Sequence, residues 1–191
     1  MIETYELTKK FDEFLAVDRV TFSVEPGTIF AILGPNGAGK TTTVRMLTSI
    51  LKPTAGWARV AGYDVVNDAT RVRAMVGVLT EQHGLYHRMR GGEYLDFFAQ
   101  IYHLSDADRR KRPLELMEHF GLGDAVNKRL GQYSKGMKQK LALVRAMLHD
   151  PSVLLLDEPT SAMDPQSAKL VREAIKDLRR EEHTITITTH N

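Results

Sequence analysis

The chain has 191 residues and a mass of 21.5 kDa, a size that fits one domain with its own buried core. With 42% hydrophobic and 26% charged residues it is not a disordered sequence, and with no cysteine it can build neither a disulfide scaffold nor a thiolate site. Lys plus Arg (26) nearly cancels Asp plus Glu (24), so the net charge of +2 leaves no strong footprint for nucleic acid, and no apolar run reaches the roughly 18 residues of a membrane span.

Residues 20–24 alternate in the strand manner. Residues 28–33 (TIFAIL) form a continuous apolar run, which suits a strand covered on both faces of a sheet. Residues 40–51 place Val44, Leu47 and Leu51 on one helical face, and 75–79 predict another strand. From 92 to 148 the pattern is helical: Tyr94, Leu95, Phe97, Phe98 and Ile101, then Leu114, Met117 and Phe120, then Leu141, Val144 and Leu148. Residues 153–156 are a second apolar strand. Leu170, Val171, Ala174, Ile175 and Leu178 mark an amphipathic helix, with Asp164 as its N-cap and Pro165 at its first position. Residues 184–189 (TITITT) predict a last strand.

This order of strands, helices and strands predicts an α/β fold with a mostly parallel sheet. The core is expected over 1–84 and 150–191, with a helical subdomain inserted at 85–149. The basic run Arg109-Arg110-Lys111-Arg112 follows Asp106 and Asp108 and reads as a solvated helix start. His83, His87 and His103 read as surface or loop residues.

Gly34-Pro35-Asn36-Gly37-Ala38-Gly39-Lys40-Thr41 matches the phosphate-loop pattern G-x-x-x-x-G-K-[ST], between a predicted strand and a predicted helix. Glycines let backbone N–H groups turn inward around phosphates, and the helix N-terminus adds partial positive charge. In such loops the lysine reaches the β- and γ-phosphates, and the hydroxyl at Thr41 is a Mg²⁺ ligand. The loop with Thr42 is therefore a candidate nucleoside triphosphate site, a property shared by kinases, GTPases and motors. The strand at 153–156 runs into Asp157 and Glu158. An aspartate at that place holds Mg²⁺, and a following glutamate can act as general base on water. The bland alternative is a strand ending in solvent. Two such motifs on strand ends of one sheet favour hydrolysis.

On these residues the chain resembles the ATP-binding cassette (ABC) ATPases over essentially its whole length. Gly34–Thr41 is similar to the Walker A motif, and Asp157 and Glu158 to the Walker B aspartate and catalytic glutamate. Ser161-Ala162-Met163-Asp164 is similar to the D-loop. His190 falls at the switch histidine, and Phe11 at an aromatic that stacks on adenine. Tyr133-Ser134-Lys135-Gly136-Met137-Lys138-Gln139 resembles the signature motif LSGGQ, with Tyr for Leu, Lys135 for the first Gly and Met137 for Gln. Ser134 can cap a helix starting near Gly136 and aim its N-terminus at an anion.

The resemblance implies a P-loop NTPase fold with N-terminal antiparallel strands. ATP would be held by one subunit's phosphate loop and by Ser134, Lys135, Gly136 and Met137 of another. It further implies Mg²⁺ on Thr41, Asp157 and the Q-loop residue, and catalysis by Lys40, Glu158, His190 and Asp164. Spacing places Glu81 at the Q-loop glutamine, with Gln82 the alternative. The departures in the signature lean toward the ABC-2 type exporter branch. Expected partners are a separate membrane permease and a second cassette, identical or similar, with no nucleic acid. The cassette would then lie at the cytoplasmic face of the cell membrane. A soluble ABC ATPase acting on ribosomes, DNA or another assembly is the alternative, and a small-molecule kinase a more distant one. Family domains continue beyond the switch histidine, so the resemblance also implies a C-terminally trimmed chain.

Overall fold

A computed structural model describes residues 1–80, 84–160, 163–180 and 183–189, with the side chains of 177–180 left aside. The strands form two sheets. One is antiparallel, with β1 (Ile2–Phe11) between β2 (Phe14–Val24) and β4 (Ala55–Val60), and β5 (Tyr63–Asp64) on the outer side of β4. The other is wholly parallel, in the order β3 (Ile29–Leu33), β8 (Thr184–Thr189), β7 (Val153–Asp157), β6 (Val76–Leu79). The expected α/β fold with antiparallel N-terminal strands is thus the observed one.

Among the described residues, the α-helices between these strands are α1 (Lys40–Leu47), α2 (Ala69–Met75), α3 (Gly91–Ile101), α4 (Asp106–His119), α5 (Lys135–Met147) and α6 (Pro165–Arg180). Helix α1 stops short of the predicted 51. Ser49 adopts φ 58°, and the N–H groups of Ile50 and Leu51 both turn back to the carbonyl of Arg45. The strand predicted over 75–79 begins at Val76, because Met75 closes α2.

Strand β7 is buried along its whole length, as its apolar run requires. On one side Leu154 and Leu156 join a core with Tyr94, Leu95, Leu141 and Val144, which binds α3 and α5 to the sheet. On the other side Val153 and Leu155 meet Val44, Leu47 and the inner face of the antiparallel sheet, including Ile2 and Val60.

The basic run is not simply solvated. Arg109 forks onto Asp96 at 2.9 Å, pinning α4 to α3, and Arg112 reaches Asp150 at 2.6 Å. Only Arg110 and Lys111 of the four are fully exposed. His87 and His103 are exposed as predicted, while His83 lies outside the described residues. His149, in the turn after α5, stacks its ring on Tyr102 at 4.0 Å, and burial lowers its pKa.

Helix α5 lies so close on β6 that a Cβ at Gly77 would sit 2.1 Å from the Ala146 carbonyl oxygen and 2.7 Å from a Leu154 methyl. Neither backbone can retreat without disturbing the core. Gly77→Ala is expected to lower stability by about 1–3 kcal/mol, read as a shifted urea midpoint. An unchanged midpoint would contradict this packing.

Candidate nucleotide site

The phosphate loop leaves β3 and enters α1, as its spacing predicts. Gly39 is the N-cap of α1 at φ 81°, and a Cβ there would meet the Ala16 carbonyl oxygen of β2 at 2.3 Å. Only glycine fits a left-handed residue pressed against that backbone. Asn36, Gly37, Ala38, Gly39, Lys40, Thr41 and Thr42 line a cleft of about 430 Å³, together with Asp157 and Glu158. Gly34 and Pro35 stand behind it: the Lys40 ammonium donates to their carbonyl oxygens at 2.7 and 3.0 Å. That ammonium also lies 3.9 Å from a Glu158 carboxylate oxygen.

Asp157, the last residue of β7, is 1% exposed. A carboxylate so placed needs hydrogen-bond donors. Thr41 supplies one at 2.8 Å, and Thr188 of the neighbouring β8 supplies the other. Glu158 follows with a left-handed backbone, φ 53°. Its N–H donates to the Thr188 carbonyl and hydroxyl oxygens, each at 3.2 Å. These strand ends converge because parallel sheets open their ligand crevices at the carboxyl ends of strands.

The donor set suits Mg²⁺. Thr41 and Asp157 place a hydroxyl and a carboxylate side by side, both hard oxygen ligands. No group of three or more His, Asp or Glu side chains forms a metal cage among the described residues. Mg²⁺ rarely uses such cages; it commonly takes one or two protein ligands plus substrate phosphates.

Two residues of the site were not singled out in the sequence. Thr188 belongs to the TITITT strand, whose three alternate threonines 184, 186 and 188 are all buried. A polar strand with buried threonines is itself a sign of hydrogen-bonding duty. Phe14 lines the cleft, whereas Phe11 does not. The two are paired across the hairpin, and the Phe11 ring carries the Lys9 ammonium 5.0 Å from its centre. Glu81, Gln82, Ser161, Ala162 and His190 lie outside the described residues.

Ser134 caps α5 as predicted, its hydroxyl accepting from the Met137 N–H at 3.2 Å. Ser134 and Lys135 are exposed, with Gly136 and Met137 half-buried behind them. None of these four lines the phosphate-loop cleft of the same chain. The tyrosine at the first signature position has a structural cause. The Tyr133 hydroxyl donates to the Ala125 carbonyl at 2.7 Å, Gly91 leaves it room, and burial pushes its pKa up to about 12.

The family model described as ABC transporter matches residues 17–161. The chain belongs to the ABC transporter family. This cassette is 40% identical to the ABC transporter ATP-binding protein NatA of Bacillus subtilis, across all of its own length and 79% of NatA. It is 39% identical to the daunorubicin resistance ATP-binding protein DrrA3 of Streptomyces coeruleorubidus, across 95% of its own length and 57% of DrrA3. It is 37% identical to the probable multidrug ABC transporter ATP-binding protein YbhF of Escherichia coli, of which it spans 33%. The solved dimeric post-hydrolysis state of the ATP-binding cassette MJ0796, bound to ADP and Pi, superposes with a TM-score of 0.91 at 26% identity, over all of this chain and 88% of that one. The ABC cassette is accordingly an ATP-binding ATPase.

Asp164 caps α6 as predicted: its side chain accepts from the Ser167 N–H at 2.9 Å, while Pro165 occupies the first helical position. That hydrogen bond holds its pKa below the ordinary 3.8. A depressed carboxylate stabilises the fold above its unfolded pKa and loses that contribution as pH falls through the folded value. Asp164→Ala should therefore lower the urea midpoint at pH 6, with the gap to wild type narrowing below pH 3.8. A gap that stays constant into acid would contradict the charged cap.

Proposed function

We propose that the cassette powers an exporter by hydrolysing ATP at a site completed by a second cassette. The observation that supports this best is the convergence of Lys40, Thr41, Asp157 and Glu158 on one cleft. The loop residues Gly34 to Thr42 bind the triphosphate through inward N–H groups, the α1 N-terminus and the Lys40 ammonium. Thr41, Asp157 and Glu81, or Gln82 in its place, would hold Mg²⁺, which would supply positive charge to the phosphates. Glu158 takes the proton of the attacking water. His190 contacts the γ-phosphate, and Phe11, with Phe14 beside it, offers the adenine an aromatic surface.

Ser134, Lys135, Gly136 and Met137 serve the partner's nucleotide. The exposure of Ser134 and Lys135 at a capped helix N-terminus fits an anion arriving from outside the chain. Asp164, exposed at the start of α6, is assigned to the same interface as part of the D-loop. Closing two cassettes around ATP draws the attached permease halves together, and hydrolysis reopens them.

No helix among the described residues is long and apolar enough to cross a membrane; the proposed partner is a membrane permease. The helical part, 85–149, supplies its docking face, and Glu81 is assigned to the same contact. Tyr86, Phe97 and Ile101 are exposed there, with Tyr86 and Phe97 edge to face at 6.2 Å. In this reading the cassette works at the cytoplasmic face of the membrane. Export is favoured by the signature form and by the relative named for daunorubicin resistance. Co-purification with a multi-span membrane protein is expected; recovery on ribosomes or DNA instead would favour the soluble-assembly alternative.

Two substitutions test the chemistry. Glu158→Gln should keep ATP binding and lower turnover about 10²- to 10⁴-fold. Lys40→Ala should lose nucleotide affinity. Wild-type hydrolysis in the first, or unchanged binding in the second, would refute the respective assignment.

A further inference from the structure

Gln139 sits about one turn into α5 and is 6% exposed. Leu141, Ala142 and Leu143, which follow it, are buried apolar residues. A polar side chain in such surroundings needs partners. Its amide nitrogen donates to two backbone carbonyl oxygens on the neighbouring strand end, Glu158 at 3.3 Å and Pro159 at 3.2 Å.

Those carbonyls belong to a constrained turn at the edge of the cleft. Glu158 is a non-glycine residue in the left-handed region, a conformation that persists only where its surroundings hold it. One side is held by β8, through the two bonds from the Glu158 N–H to Thr188. The other side is held by α5, through Gln139. The direction of the Glu158 side chain, and so its carboxylate 3.9 Å from Lys40, follows from this pair of clamps.

The two clamps differ in kind. Thr188 lies inside the parallel sheet. Gln139 lies about one turn into the helix whose N-terminus presents exposed Ser134, about 7.5 Å away along the axis. We propose that Gln139 is a positioning residue for hydrolysis, aiming the Glu158 carboxylate at the attacking water and tying that aim to the seating of α5. The inference rests on Glu158 acting as general base.

Gln139→Met keeps an unbranched side chain of the same length and removes both donors. In the full chain it should lower kcat about 10- to 100-fold, as misplacement of a catalytic group by about 1 Å does. KM for ATP should stay within about twofold, because ground-state binding is untouched. Gln139→His offers a ring N–H at similar reach and should recover part of the loss. In a Glu158→Gln background, single-turnover hydrolysis should fall no further on adding Gln139→Met, since the group being aimed is already gone.

A Gln139→Met chain that turns over like wild type, while Glu158→Gln is inactive, overturns the proposal and leaves the base assignment standing. If Glu158→Gln itself turns over like wild type, the base assignment fails first. A further multiplicative loss in the double variant, or a parallel loss of KM and of the thermal midpoint, would show a purely structural role and also overturn it. If Gln139→Met does not fold, the same comparison of KM and kcat in Gln139→His decides, with wild-type kcat supporting a donor at this position and a loss confined to KM contradicting it.

Discussion

The carboxylate of Asp157 ties the site together. It is almost fully buried, so its oxygens must be met by donors from within the protein. One donor comes from Thr41 at the start of α1, the other from Thr188 at the end of β8. Three segments far apart in sequence are thereby brought to one point. The parallel register makes this feasible: Asp157 pairs with Thr188, and Leu33, just before the phosphate loop, pairs with Thr189. A one-residue slip of β8 would turn the Thr188 hydroxyl to the other face and leave the carboxylate without it.

Helix α5 is the second organising element. Its N-terminus carries the capped Ser134, its first turn carries Gln139 against the strand end, and its far half lies on Gly77 of β6. Near its end Arg145 donates to the Tyr94 hydroxyl at 2.7 Å and lies over the Phe98 ring. One rigid rod therefore touches the signature surface, the acidic strand end and the aromatic groups of α3. A helix with contacts at both ends suits a protein whose chemistry and docking must move together.

Much of this was legible in the sequence, and the reasons are physical. The phosphate loop and the strands at 28–33 and 153–156 are local patterns with a fixed period, so spacing alone locates them. The caps at Ser134 and Asp164 are also local, and both are present. The antiparallel sheet was expected only through resemblance. Strand β1 is broken by register shifts and a left-handed Glu6, and β4 begins with Ala55-Gly56, so neither shows a clean alternation. Helix α2 buries only Val72, which leaves no amphipathic stripe to read. The duties of Gln139, Thr188 and Phe14 were not legible, because their partners are set by tertiary packing and not by sequence neighbours. The split of the basic run follows the same logic: Asp96 and Asp150, which hold Arg109 and Arg112, are 13 and 38 residues away.

The composite nature of the site is open to one decisive measurement. Lys40→Ala removes a chain's own phosphate grip but leaves its Ser134 surface intact. Ser134→Arg blocks that surface but leaves the cleft intact. Each variant alone should be nearly inactive. Mixed in equal amounts, they should regain on the order of a quarter of wild-type ATP hydrolysis, since about half the dimers would be mixed and each would hold one complete site of two. A mixture that stays as inactive as its components, or a Ser134→Arg chain that hydrolyses ATP like wild type on its own, would contradict a site shared between two cassettes.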